Sequence, residues 1–378
     1  MSSRGYNIFI AFILQKKNAL IESHFFLEDV NVLYFRDLGV DISLRASNFL
    51  LNNKLFLKMR ISNFLLFFIR LFFERIPTIC KLFFLLKKEK IDVVHLNNGI
   101  SNPVILGAVL ANVPRVVSVR SLVMQSIVPR IKLLKYVDCF VACSNAAKKD
   151  FIEKYGIAAE RVKVVYDGIK VDDVFNVQKK DVGRIKSEFN IKASAKVIGT
   201  VGRLIECKRQ DLLILAVEKL VKMGMDIQCL IVGGAEQEEE SLSWELQLKN
   251  LTMKKNLSNQ IIFTGFYKNP LDLINAMDVF VLPSIGESFG IVILEAMALG
   301  VPVVAFNHGG PAEIITHNDG ILVPAGDVDS LAESICKLLK DESFYKTLSF
   351  NAKKRVRMDF SLGKTAAEFD AVYKDCLR

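Results

Sequence analysis

Residues 283–313 read PSIGESFGIVILEAMALGVPVVAFNHGGPAE. A glycine-bearing loop leads into an apolar helical run, then into the β-branched run Pro302 to Phe306, and then into a second glycine loop at Gly309-Gly310. Continuous apolar strands alternating with helices are the pattern of a parallel sheet covered on both faces. The same alternation continues outward from this stretch. Short β-branched runs stand at 196–201, 227–232, 261–264, 278–282, 302–306 and 321–323. Helical patterns separate them at 209–223, 236–255, 270–277, 290–299, 311–316 and 327–340. The first half repeats the pattern more faintly, with strands expected at 6–14, 91–96, 115–119, 138–142 and 162–166. The charged, weakly patterned stretch 171–195 marks the junction between the two halves. The chain reads as two doubly wound α/β domains, with ligands expected at the carboxyl ends of their strands.

A length of 378 residues fits two domains. With 51% hydrophobic and 24% charged residues, a disordered tail or a fibrous repeat is excluded. Fifty basic against 41 acidic residues leave a net charge of +9, which favours anionic partners: a nucleotide, a phospholipid surface or a nucleic acid. Seven scattered cysteines without a Cys-x-x-Cys pair argue against a disulfide framework or a zinc site and fit a reducing cytoplasm. No apolar run reaches the ~18 residues of a spanning helix. The segment 48–90 stands out, with nine basic residues against two acids and nine phenylalanines. Two readings of it stand side by side: an interfacial surface that meets anionic headgroups, or a pair of buried helices with solvated basic ends. The acidic run Glu236 to Glu240 opens a helix and reads as a solvated face.

Chemistry concentrates on three loops. Glu287 lies in the loop after a strand, and Glu295 lies eight positions later in the following helix. Gly286 and Gly290 let a ligand approach the amides at the start of that helix, where an anion is favoured. Carboxylates there suit hydroxyl groups, since an ionised carboxylate accepts two strong hydrogen bonds from a diol. Phosphate-binding amides beside two diol-binding acids describe a nucleotide sugar. The segment 198–211 adds a strand ending in glycine and a loop carrying Arg203 and Lys208, two cations suited to a diphosphate. Gly309-Gly310-Pro311-Ala312-Glu313 opens a third helix on the same edge. Taken singly, each acid also reads as a solvated surface residue.

At these residues the chain resembles the retaining glycosyltransferases of GT-B fold, family 4. The resemblance rests on Glu287, Phe289, Gly290, Glu295 to Gly300, Pro302, Gly309, Gly310 and Glu313, with Gly202, Arg203, Leu204 and Lys208 upstream. It covers the C-terminal half nearly end to end. In the first half it is thinner, at Asp92-Val93-Val94-His95, Val141-Ala142-Cys143-Ser144 and Val165-Tyr166-Asp167-Gly168-Ile169. It implies an α/β architecture of two Rossmann-like domains facing a central cleft: residues 1–175 on the acceptor side, 176–358 holding the donor, and a C-terminal helix at 359–378 packing back on the first domain. It further implies that Arg203 and Lys208 hold a pyrophosphate, that Glu295 accepts from ribose hydroxyls and that Glu287 meets the donor sugar. The amides of Phe289, Gly290, Ile291 and Val292 would complete the phosphate site next to Gly202, and backbone near Phe266 and Tyr267 would form the nucleobase pocket. The donor would be a UDP-linked hexose serving as substrate, with no separate cofactor and no metal, and the acceptor a lipid-linked or polysaccharide glycan. Such an enzyme is expected in the cytoplasm, peripheral at the inner face of the membrane.

The chain departs from the family pattern on the acceptor side. It is expected to lack the opening strand and its glycine loop, and it carries Arg120, Asn97 and Lys170 where many members have other residues. A non-catalytic nucleotide-sugar-binding or partner module derived from the same fold therefore stands as the alternative, whereas no motif supports nucleic-acid binding. Asp327-Val328-Asp329 resembles a metal motif of a different glycosyltransferase fold, but its place at a helix start predicts capping. His95, at a strand end, is expected to be a structural hydrogen-bonder, and His308, beside the glycine pair, to face the cleft.

Overall fold

The computed structural model describes residues 8–12, 32–34, 76–97, 99, 101–120, 133–175, 181–234 and 239–378. In chain order the elements are β1 (Ile8–Phe12), β2 (Val32–Tyr34), α1 (Ile76–Lys88), β3 (Val93–Asn97), α2 (Asn102–Ala111), β4 (Arg115–Val119), β5 (Cys139–Ala142), α3 (Asn145–Tyr155), β6 (Val162–Val164), α4 (Val171–Phe175), α5 (Asp181–Glu188), β7 (Lys196–Val201) and α6 (Gln210–Lys222). There follow β8 (Ile227–Val232), α7 (Glu239–Lys254), β9 (Ile261–Gly265), α8 (Pro270–Asn275), β10 (Val279–Leu282), α9 (Ile291–Leu299), β11 (Val303–Phe306), α10 (Pro311–Ile314), β12 (Ile321–Val323), α11 (Val328–Lys340), α12 (Glu342–Asp359) and α13 (Leu362–Cys376). They form two compact units. One comprises Met1–Cys143, Lys148–Val165 and Ala366–Arg378, the other Ser144–Ala147 and Tyr166–Thr365.

The first unit holds a parallel sheet in the order β2-β1-β3-β4-β5-β6. Its inner strands are buried along their length, as the apolar runs VVHL, VVSV and CFVA require. Val93, Val116, Cys139, Val141 and Val165 form a core with Phe369, Val372 and Tyr373 from the last turns of the chain. His95 is sealed in that core, with Nδ1 2.7 Å from the Tyr373 hydroxyl and Nε2 2.7 Å from Ser118 Oγ. Burial, aided by the nearby Arg120 charge, pushes its pKa down to about 3, so the ring stays neutral and structural. Of the segment 48–90, the described part is α1 and the residues just after it. Thr78, Leu82 and Leu86 are buried, Phe84 is exposed, and Lys87 and Lys88 sit in the last turn, where cations suit the helix dipole. The remainder of that segment, and the glycine-loop position near the start of the chain, lie outside the described residues.

The second unit holds a parallel sheet in the order β12-β11-β10-β7-β8-β9. Its core runs from Ile198 and Leu213 through Ile231, Val281 and Phe306 to Leu331 and Leu348. The junction stretch 171–195 contains α4 and α5. Ile185 of α5 is buried, and Arg184 reaches Asp272 of α8 at 3.2 Å, so α5 belongs to this unit. The unit starts at Tyr166 because its opening residues are stitched to a distant segment. The Ile169 N–H donates to the Phe360 carbonyl at 3.0 Å, and the Leu362 N–H donates to the Ile169 carbonyl at 2.9 Å. Asp327 caps α11: its carboxylate accepts the Ser330 N–H at 3.0 Å and the Ser330 hydroxyl at 2.7 Å.

One glycine fixes the edge on which the functional loops gather. Gly233 leaves β8 at φ +135°, and a Cβ placed there would lie 1.9 Å from the Gly202 carbonyl oxygen at the end of β7. We expect Gly233→Ala to cost about 3 kcal/mol, from forced backbone conformation plus overpacking. Urea denaturation of the two proteins checks this, and equal midpoints would show that the strand ends tolerate separation.

Candidate functional site

In the second unit β7 lies between β8 and β10, so the sheet order reverses there. Loops leaving the carboxyl ends of two strands at such a switch point diverge and leave a crevice. The loop after β7 runs from Gly202 through one 3-10 turn, Glu206–Lys208, to α6. The loop after β10 runs from Pro283 to Gly290 and opens α9. The two are joined directly. The Ile285 N–H donates to the Cys207 carbonyl at 2.9 Å, and Lys208 Nζ meets Glu287 Oε2 at 2.5 Å. Side-chain exposures of 22% for Lys208 and 12% for Glu287 place this pair in a low-dielectric, weakly screened setting. Arg203 is exposed on the same loop, and its carbonyl accepts from Gln210 Nε2 at 2.9 Å.

The glycine pair after β11 presses on the second loop. The Gly310 N–H donates to the Glu287 carbonyl at 2.9 Å. A Cβ on Gly310 would lie 2.3 Å from Phe289 Cα, and one on Gly309 would lie 2.4 Å from the Glu287 carbonyl oxygen, so only glycine permits this approach. The Gly286 N–H donates to His308 Nδ1 at 3.2 Å, which sets His308, from the loop after β11, against the loop that carries Glu287. Gly290 precedes α9, and the first N–H groups of a helix, here those of Ile291 and Val292, lack intrahelical acceptors. The positive pole of α9 therefore opens at the end of the Glu287 loop.

Glu295 lies one turn into α9. Among the described residues it has no hydrogen-bond or ion-pair partner, and burial pushes its carboxyl up to about 7. A desolvated carboxyl lacking a cation is strongly perturbed, as residues that await a ligand often are. Phe266 is 68% exposed just past β9. Tyr267 turns its hydroxyl to Glu188 at 3.2 Å and packs against Phe189, so its side chain is committed to the α5 region while its backbone stays at the sheet edge. The structure thus gathers Gly202, Arg203, Lys208, Glu287, Phe289 and Gly290 on the loops flanking the switch point, with Ile291 to Glu295 in the first turns of α9. Phe266 and Tyr267 stand at the carboxyl end of β9, on the far side of β8.

A second cluster escapes the sequence reading of roles. The Glu313 carboxylate accepts the N–H groups of Asn145 (2.8 Å) and Ala146 (2.7 Å), the Asn145 amide (2.9 Å) and the Tyr166 hydroxyl (2.9 Å). The Tyr166 ring stacks on Phe289 at 5.9 Å, and both rings meet Phe360. Ser144 Oγ donates to the Ser288 carbonyl at 2.6 Å. The loop bearing Glu287 is therefore braced from behind by aromatic stacking that Glu313 orients. The motifs around Tyr166 and Glu313 are visible in the sequence, but 147 positions separate the two residues and no local pattern links them.

Residues 181–355 match the family model described as Glycosyl transferases group 1, and residues 38–173 match that of Glycosyltransferase Family 4. The chain is 33% identical over 202 residues to N-acetyl-alpha-D-glucosaminyl L-malate synthase of Bacillus anthracis, covering 53% of this chain and 51% of the relative, so it matches about half of that protein. It is 27% identical over 338 residues to the UDP-Gal:alpha-D-GlcNAc-diphosphoundecaprenol alpha-1,3-galactosyltransferase of Escherichia coli, covering 81% of this chain and 84% of the relative. Among solved structures, HepE of Anabaena in complex with UDP is similar with a TM-score of 0.69 at 23% identity, covering 79% of this chain and 82% of that one.

Two outcomes are expected from this geometry. Glu313→Ala, which strands several donors, should cost about 3 kcal/mol, whereas Tyr166→Phe, which keeps the stacking, should cost about 1 kcal/mol, both read from denaturant midpoints. Equal effects would show that the carboxylate does not organise the cluster. Glu295 titrates in the physiological range: its unfolded-state proton leaves first, so its destabilising contribution grows as pH rises from about 4.5 to about 7 and then levels off. A diol is bound best by the ionised carboxylate, so UDP affinity measured calorimetrically should rise with pH through about 7 and become flat in Glu295→Gln. A flat profile in the unaltered chain would remove the ribose role.

Proposed function

The chain belongs to the group 1 glycosyltransferases, with the GT-B fold, and on that premise we propose that it moves a hexose, with retention, from a UDP-sugar to a lipid-linked or polysaccharide acceptor. The observation that carries the donor side is the Lys208–Glu287 pair on the loops flanking the switch point. In the free protein the two charges neutralise each other. A nucleoside diphosphate brings more negative charge to Lys208 than one carboxylate does, and Arg203 lies on the same loop to share it. Glu287, released from Lys208, then accepts from hydroxyls of the donor sugar. The N–H groups of Ile291 and Val292 and the pole of α9 face a phosphate, Glu295 takes the ribose diol, and the backbone at Phe266 and Tyr267 receives the base.

In the transfer step, the bond from the anomeric carbon to the phosphate oxygen breaks while the acceptor hydroxyl attacks on the same face and passes its proton to the departing phosphate oxygen. Positive charge develops on the sugar and negative charge on the departing phosphate. Two cations fixed at that phosphate stabilise it as it forms, so the proposed step assigns this work to Arg203 and Lys208 and calls on no metal ion. The UDP-linked donor and lipid-linked acceptor are supported by the name of the Escherichia coli relative, and UDP also by the HepE complex. No helix among the described residues is long and apolar enough to cross a membrane. We place the enzyme at the cytoplasmic face, where the basic, Phe-rich segment 48–90 suits an anionic surface.

A thermal-shift panel of nucleotide sugars on the purified chain tests donor binding, with UDP-hexoses expected to raise the melting temperature. Lys208→Ala should cut donor-dependent turnover about a hundredfold or more. Near-normal turnover in that variant would remove the phosphate role. Ligand binding with neither hydrolysis nor transfer would favour the non-catalytic alternative.

A further inference from the structure

Helix α12 buries Leu348, Ala352 and Val356 against its own unit and turns the opposite face outward. That outer face carries Phe350, Lys353, Lys354, Arg357 and Met358, whose helical spacing makes one continuous stripe. Phe350 is 71% exposed and Met358 63% exposed, and the three cations between them are exposed as well. These five side chains line a concavity of about 500 Å³. Nearby cations are matched with acids: Lys346 pairs with Glu342, and Lys364 pairs with Asp359. Lys353 and Lys354 have no acidic partner among the described residues. The stripe is thus a patch of positive charge bounded at each end by a large apolar side chain.

We propose that this stripe docks the second unit on an anionic phospholipid surface. Cations at headgroup level with apolar side chains reaching past them are what an interfacial helix presents to a bilayer. An acidic protein or a nucleic acid would answer the charge, but would leave Phe350 and Met358 without an apolar partner. The surface is separate from the segment 48–90 and from the donor loops. It goes beyond the catalytic reading and does not depend on it, although a lipid-linked acceptor would bring the enzyme to such a surface.

The test is co-sedimentation of the full chain with phosphatidylcholine vesicles, with and without phosphatidylglycerol, beside a UDP thermal shift on the same samples. The unaltered chain should partition onto the anionic vesicles only. Each cation is worth about fivefold in partitioning, so Lys353→Gln/Lys354→Gln/Arg357→Gln should reduce it about a hundredfold. Phe350→Ser/Met358→Ser should also weaken partitioning, and the UDP shift should persist in both variants, since neither touches the donor loops. Unchanged partitioning in the charge variant would move the contact to another surface, such as 48–90, and overturn the proposal. So would equal binding to uncharged vesicles, or displacement by inorganic phosphate at matched ionic strength, which would mark a free-phosphate site. Loss of a dimer in Phe350→Ser/Met358→Ser without vesicle binding would assign the stripe to a second copy of the chain and also overturn it. A missing UDP shift in the unaltered chain would count against the donor reading alone.

Discussion

The ion pair between Lys208 and Glu287 is held where the second sheet changes direction, and the surrounding architecture is arranged so that these two loops meet. Their side chains come from positions 79 apart. Only the strand order, with β7 between β8 and β10, makes their loops neighbours. Two mostly buried charges attract strongly, but each also loses its hydration, so the pair as a whole adds little to stability. Removing one partner is different, because it leaves the other charge buried and uncompensated. The proposed exchange of Glu287 for a stronger anion at Lys208 starts from this pair. The glycine contacts are what permit it. Gly309 and Gly310 lie against the backbone of Glu287 and Phe289, and Gly233 lies against that of Gly202.

The two carboxylates of the second loop and its helix are treated differently by the fold. Glu287 is given a cation, whereas Glu295 is given burial and no cation. The first is ion-paired to Lys208, and burial pushes the carboxyl of the second up to about 7. Behind them, Glu313 holds Tyr166 by its hydroxyl, and Tyr166 holds Phe289 by stacking. The loop is therefore fixed from two sides, by glycine contact and by an aromatic brace. Preorganised charges of this kind do not have to reorganise as a transition state forms.

Much of the fold is legible in the sequence, for a physical reason. Strand β8 falls on the run at 227–232 and is buried at every position, while β7 and the edge strand β12 fall on the β-branched runs at 196–201 and 321–323 although each is partly exposed. Helix ends are displaced by a residue or two: α7 ends at Lys254, and α10 stops at Ile314. The stretch 171–195, which lies inside the second unit, is the least legible. Its helices α4 and α5 are short and charged, and they are held by tertiary contacts such as Ile185 in the core and Arg184 on Asp272. Of the site, residue types and spacing single out Arg203, Lys208, Glu287 and Glu295 because their loops carry unusual chemistry. The brace of Tyr166, Asn145 and Glu313 is invisible locally, because it joins segments more than a hundred positions apart. The side-chain direction of Tyr267, turned to Glu188, is likewise set by a helix that sequence periodicity does not reveal.

Amide hydrogen exchange of the full chain, with and without UDP, bears most directly on the central claim. A diphosphate gripped at the switch point predicts that UDP slows exchange in two separate peptides, one spanning 202–209 and one spanning 286–292, while the outer face of α12 is unchanged. Slowed exchange confined to any other region, or bound UDP with both loops exchanging as before, would contradict the account.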